Sequence, residues 1–539
     1  MPRFADIAEE YLEFNWKASP LTATYVGIHK YDHELDDVQP DFIQDITDQR
    51  KRYLNELDRI PKEELNDEEQ IDRQLLRNEI ASIIVDYEQI GFWKTHAAYY
   101  PRLCAHSMFL LFVREFAPLS ERTSAILSRL RNVPRVLEDG KRNLADCPRL
   151  FVTLGIQMTD GCVSFIEDLI PKLCTSVPAL KHELEAASGK AFRALQDYRQ
   201  YLEKDLLPRS TGEFAIGPEL FNFKLKNDHM LPYDAQEILE IGHIMKKRTE
   251  DAIRLAAHHI DTGRTWFEIV EAIKEQHPEP SDLLQTYKKE MESARNFILQ
   301  KDLVTVPPGE HLDVIPTPSF SRPVIPYAAY MSPAQFEKQQ KGHFYVTLIE
   351  KNLSDREKEE ILRGHPIFGI PVTALHEGYP GHHLQLVIAN KLHNKLRRLL
   401  ETTVFIEGWA LYCEEMMYEA GFYSDPRSRL LQLKDQLWRA CRVIIDVGLH
   451  TKKMSYEEAV DLLVNDAKLE RVHAQKEVMR YTYTPSQPMS YMIGKKQILE
   501  LKSDYQKKQG DKFKLKEFHD SLLNFGSIPI CLIRKALGL

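Results

Sequence analysis

The sequence has no C-x-x-C pair. Its seven cysteines, Cys104, Cys147, Cys162, Cys174, Cys413, Cys441 and Cys531, are scattered and odd in number. They read as reduced core thiols of a cytoplasmic protein rather than a disulfide framework. Long apolar runs are also missing: none approaches the ~18 residues that a membrane span needs. The N-terminus, MPRFADIAEEYLEFNW, lacks a basic region followed by an apolar stretch, so no secretory signal is expected. Positive charge is not in excess. A net charge of −9 speaks against nucleic acid or an anionic membrane as the main partner. No internal repeat or low-complexity linker interrupts the chain.

What remains is an ordinary globular composition, 43% hydrophobic and 28% charged, spread over 539 residues. That length is large for one hydrophobic core and points to two lobes or one large multi-layer domain. Helical periodicity dominates, most clearly over 178–206, 234–260 and 281–301, where apolar residues recur at spacings of three and four. Thr265 with Glu268, Ser354 with Glu357 and Ser455 with Glu458 read as capping boxes. Gly364 reads as a helix stop.

Residues 305–349 break the pattern with seven prolines and two strand candidates, HLDVI and HFYVTL. A helix is expected after Ser332, with Pro333 at its first position. The compositional shift places a boundary near residue 300, giving a helical lobe over 1–300 and a catalytic lobe over 301–539. The fold class expected is mainly α, with a small flanking β-sheet.

HEGYPGHH, residues 376–383, follows the apolar run PIFGIPVTAL. In the zinc-peptidase signature H-E-x-x-H, two histidines four apart on a helix grip one metal, and the glutamate between them is the base. Here position i+4 from His376 is Pro380. In an unbroken helix His382 would lie ~9 Å along the axis on the wrong face, and His383 ~10.5 Å away. Zinc–nitrogen bonds are only ~2.0–2.1 Å long, so the helix must be distorted. Pro380 supplies the distortion, because it has no N–H and its ring clashes with the carbonyl of His376. Gly381 tolerates unusual backbone angles.

Looping out Tyr379-Pro380 gives His382 the effective i+4 place. Looping out three residues would give it to His383 instead, and the smaller disruption favours His382. His383 then points roughly 100° away, toward groups that support the ligands or toward substrate. Glu407 completes a His376, His382, Glu407 zinc set: it is a carboxylate among Ile406 and Trp409 whose burial a metal would offset. Glu377 is left as general base. The plain alternative is a chance cluster of satisfied histidines.

Other residues could assist. Tyr481, Tyr491 and Arg480 are candidates to stabilise charge on a substrate carbonyl, set against ordinary core packing or a surface ion pair. Phe344 and Tyr345 in HFYVTL are candidates to bind an extended peptide if that strand is a sheet edge, set against an ordinary buried strand. Glu414 could orient a ligand histidine, although Glu414 and Glu415 together read first as a solvated helix face.

HEGYPGHHLQ resembles the hallmark H-E-x-x-P-G-H-H-L-Q of a bacterial family catalogued as a domain of unknown function, whose members include candidate lipoproteins. EGWALY (407–412), RYTYTPSQPMSYMIG (480–494), GHFYV (342–346) and SPLTATYVGIHKYDHELDD (19–37) resemble further segments of it, so the likeness runs over nearly the whole chain. No signal or lipobox is seen, so membrane anchoring is not carried over. That family in turn looks like the gluzincin peptidases, among them thimet oligopeptidase, angiotensin-converting enzyme and the Taq-type carboxypeptidases. Their H-E-x-G-H corresponds here to His376, Glu377, Gly381 and His382, with Tyr379-Pro380 inserted and Glu407 following 25 positions after His382. Tyr491 and Gly494 are similar to a Y-x-x-G motif of the Taq-type enzymes.

The resemblance implies a helical gluzincin-like fold with a deep cleft, a zinc cofactor and a carboxypeptidase or dipeptidase mode. A cleft walled by helices would admit short peptides and exclude folded proteins. An amidase or esterase acting on other substrates would use the same residues. A helical binding protein without activity would not need Glu377.

Overall fold

The computed structural model describes residues 3–317, 328–350 and 353–539. It is mainly α-helical, with one three-stranded sheet among the described residues. The periodic segments become the helices Lys181–Tyr201, Ala235–Ile260 and Leu283–Gln300. All three expected capping boxes form. At Thr265, for example, the hydroxyl accepts the Glu268 N–H at 3.3 Å and Glu268 accepts the Thr265 N–H at 2.8 Å. Each pair satisfies two backbone donors that a helix start leaves open. No described helix is long and apolar enough to cross a membrane.

The chain forms two compact units, and the division falls at residue 214 rather than near 300. Composition marks the start of the sheet segment at 300, but helix packing decides the unit. Ala235–Ile260 shares a core with Pro426–His450 through Ile238, Ala440, Val443 and Val447. Leu283–Gln300 packs on Ile370–Glu377. Both helices therefore belong with the histidine motif.

The first unit is built on the helices Tyr99–Val113, Leu119–Asn143, Arg149–Ser176 and Lys181–Tyr201 around Ile126, Leu130, Val133, Ile166 and Leu195. Its buried Arg129 is satisfied by the carbonyls of Glu34 and Ser107 and the Thr24 hydroxyl. Residues 334–339 also belong to this unit and form no helix. The expectation after Ser332 fails because Phe336 spends its N–H on Val26 O at 2.9 Å and sets its ring against Trp16.

In the second unit the sheet order is β1 (His311–Pro316), β3 (Lys341–Val346), β2 (Ala328–Met331). β3 pairs parallel to β1, Val314 opposite Phe344, and antiparallel to β2, Tyr330 opposite Phe344. The GHFYV strand is thus central, with no free edge for a peptide. Phe344 is fully buried against Tyr287, ring centroids 5.4 Å apart, and Tyr345 is buried too. Both are core residues of a flanked strand.

Candidate metal centre

His376 sits in the last turn of the helix Ile370–Glu377. The helix stops there: Gly378 leaves helical angles at φ −108° and ψ −94°. The Tyr379-Pro380 bond is cis, and a second helix starts at His382 and runs to Asn390. The motif is therefore a break between two helices and not a bulge within one. Two features hold the break. The Gly381 N–H donates to Leu375 O at 3.0 Å, and a Cβ at Gly381 would lie 1.8 Å from His376 O. Only glycine permits that fold-back.

Glu407 comes from the helix Thr403–Glu419, whose start is capped by the Thr402 hydroxyl. This helix crosses Ser490–Gln509 with backbone against backbone. A Cβ on Gly494 would fall 1.8 Å from Val404 O and 2.7 Å from the Gly408 Cα. The crossing sets Glu407 beside Tyr491. Two residues after Glu407, the Trp409 indole N–H donates to Pro380 O at 2.8 Å and ties the same helix to the His376–His382 connection.

These elements bring His376, His382 and Glu407 together, with one candidate ligand atom from each within 4.8 Å of the others. His382 Nε2 lies 3.2 Å and His376 Nε2 4.0 Å from Glu407 Oε2. Ligands on a tetrahedral zinc stand about 3.3 Å apart, given bonds of ~2.0–2.2 Å. Glu407 Oε2 is buried and makes no hydrogen bond among the described residues, although His382 Nε2 stands 3.2 Å away. A buried acceptor in that state fits a cation. The residues present suit zinc: two neutral nitrogens, one carboxylate and room for a fourth ligand. Burial alone would raise the Glu407 pKa, but the imidazoles of His382 and His376 and the Tyr491 hydroxyl outweigh it and hold it at about 2.

Glu414 is not on a solvated face. It is buried, with Oε1 2.8 Å from His376 Nδ1, while Oε2 accepts from Gln432 Nε2 at 3.1 Å. A carboxylate there accepts a hydrogen bond from Nδ1–H, which keeps the proton on that nitrogen and leaves the Nε2 lone pair facing Glu407. Glu415, one residue on, pairs with Arg429 at 2.9 Å and with Lys495.

His383 points elsewhere. Its Nε2 lies 3.0 Å from Glu310 Oε2 and its Nδ1 3.1 Å from the Tyr330 hydroxyl. Glu310 also accepts from the Tyr379 hydroxyl, and from Arg295 through two bonds of 3.0 Å. Burial would raise the Glu310 pKa; His383, Tyr379 and Arg295 reverse this and lower it to about 2. Glu310 joins the sheet and the Arg295 helix to the motif, and sequence reading missed it. Nothing but the tertiary fold brings residues 295, 310, 330 and 383 together.

Glu377 is half-buried, and no hydrogen bond fixes its carboxylate among the described residues. Its charge favours the protonated form of His382. Tyr491 adjoins Glu407, and its own pKa is raised to about 12, by burial first and then by Glu407. Tyr481 and Arg480 are committed elsewhere. The Tyr481 hydroxyl accepts from Arg442 Nε at 2.8 Å and Trp438 Nε1 at 3.2 Å and donates to Glu477 at 2.7 Å. Arg480 donates to Gln487 and Glu477, both at 2.9 Å. The one Tyr481 donor is thus taken by Glu477, and Arg480 is held by Gln487 and Glu477.

Solved structures share this fold over the whole chain. A candidate lipoprotein of unknown function from Shewanella oneidensis is 24% identical with a TM-score of 0.84, covering 100% of both chains. One from Colwellia psychrerythraea is 19% identical with a TM-score of 0.85, covering 99% of this chain and 98% of that one. Among curated proteins none matches. A family model matches residues 20–537, and the chain accordingly belongs to the family described as bacterial protein of unknown function, DUF885.

Proposed function

We propose that the chain is a zinc-dependent hydrolase, specifically a metallopeptidase cleaving short peptides. The observation that carries this reading is the convergence of His376, His382 and Glu407, with Glu414 behind the first histidine. The donor set is that of the gluzincin peptidases, which the motifs also resemble. When bound there, a zinc ion polarises a carbonyl and makes water more acidic.

The chain's own groups do the rest. Glu414 fixes the His376 tautomer. Glu377, free of other hydrogen bonds, accepts the proton from the attacking water and returns it to the leaving amine. The Tyr491 hydroxyl donates to the carbonyl oxygen as negative charge grows. A cytoplasmic location is part of this reading, and seven free cysteines support it.

Glu377→Gln tests it. The variant should keep its zinc while hydrolysis of short peptides falls ~10²–10⁴-fold. A panel that includes acyl esters and non-peptide amides separates peptidase from esterase or amidase. A variant with most of its activity intact places the base elsewhere.

A further inference from the structure

The helix Pro426–His450 runs beside the metal centre. Gln432 on it supports Glu414, and Arg439 stands two turns further along the same face. The Arg439 guanidinium is 5.8 Å from the centre of the ring of Tyr491, the neighbour of Glu407.

Three arginines carry charge near Tyr491, and two of them already pair with the same carboxylate, Glu477. Arg442 donates to Tyr481 and Glu477, and Arg480 to Gln487 and Glu477. Arg439 contacts its one acceptor residue, Asp435, through Nη1 alone, 3.1 Å from the backbone carbonyl and 3.9 Å from Oδ2. Asp435 is itself shared with Lys434 at 3.2 Å. The other edge of the guanidinium, Nε with Nη2, holds no acceptor among the described residues, and Nε is buried. That edge presents two parallel N–H groups, the fork that a carboxylate meets with both oxygens.

We propose that Arg439 binds the terminal carboxylate of the substrate, so that the site takes peptides with a free C-terminus and cuts next to it. This rests on the hydrolase reading and names its substrate class. One residue of chain spans at most ~3.6 Å. A carboxylate on the residue just past the scissile bond therefore falls beside a cation that adjoins the metal ligands. An amide at the same position offers one acceptor and no charge, and leaves the fork half-filled.

Binding tests this apart from turnover. Zinc-loaded Glu377→Gln is titrated calorimetrically with acetyl-Ala-Phe and with its C-terminal amide. The acid should bind at least 30-fold more tightly. Adding Arg439→Met should erase that preference by weakening the acid alone, and Arg439→Lys should restore part of it. Unchanged zinc content shows that each variant is folded at the site. Equal affinity for acid and amide, no binding of either, or equal weakening of both by Arg439→Met overturns the assignment. Acid-selective binding by a protein that hydrolyses nothing removes the hydrolase reading and leaves the carboxylate site standing.

Discussion

Gly494→Ala probes how the site is assembled without touching a ligand. Its Cβ would lie 1.8 Å from Val404 O, where ordinary contact begins at 3.4 Å, and 2.7 Å from the Gly408 Cα. The atoms in the way are backbone, so no side chain can swing aside. The two helices must separate by roughly 1–1.5 Å or tilt, at an overpacking cost near the upper end of ~1–3 kcal/mol. In a unit of this size that is a fall in melting temperature of about 3–5 °C. Separation also moves Glu407, which rides on the displaced helix, relative to His382. Metal geometry tolerates only ~0.5 Å, so zinc affinity should drop at least tenfold.

Circular dichroism melting and competition with a zinc indicator read the two effects. Gly161→Ala is the control: it lies inside a helix, nothing stands within 4 Å of the added carbon, and it should be neutral or stabilise by ~0.4–1 kcal/mol. Parental melting and zinc affinity in Gly494→Ala would refute the claim that this crossing builds the site.

Other outcomes follow from the same contacts. His382→Ala should abolish tight zinc binding, whereas His383→Ala should keep zinc and lose stability, because His383 serves Glu310 and Tyr330; the reverse order in an indicator titration would exchange their roles. Glu310, nearly inaccessible to solvent, has its pKa depressed from 4.5 to about 2, worth about 3 kcal/mol. Because the folded value is the lower one, that stabilisation is complete above pH ~4.5 and is lost as pH falls toward 2. Glu310→Gln should flatten this acid limb in urea titrations run across pH, and an unchanged limb would show that the clamp carries no charge.

The convergence of His376, His382 and Glu407 was legible because local chemistry points to it. Pro380 forbids a continuous helix, Gly381 allows the fold-back, and a carboxylate flanked by Ile406 and Trp409 needs a partner. Helix starts were legible for the same reason, since a capping box is complete within four residues. What depends on distant segments was not. Glu414 looks like half of a charged pair until Gln432 and His376 enclose it. Tyr481 and Arg480 lie in a suggestive motif, yet Glu477, one turn earlier, claims both. HFYVTL gives no sign of being the middle strand, because strand order is set by segments that precede it. Arg439 lies in no motif, and only the paired state of its two arginine neighbours makes it conspicuous. Gly408 and Gly494 were visible as motif letters, but their close approach is a property of two helices.

Metal content tests the central claim most directly. Untagged protein, purified without chelator and measured by inductively coupled plasma mass spectrometry, should carry close to one zinc per chain, removed by chelation and restored by added zinc. Protein that holds no transition metal even after zinc is supplied at neutral pH would contradict the account.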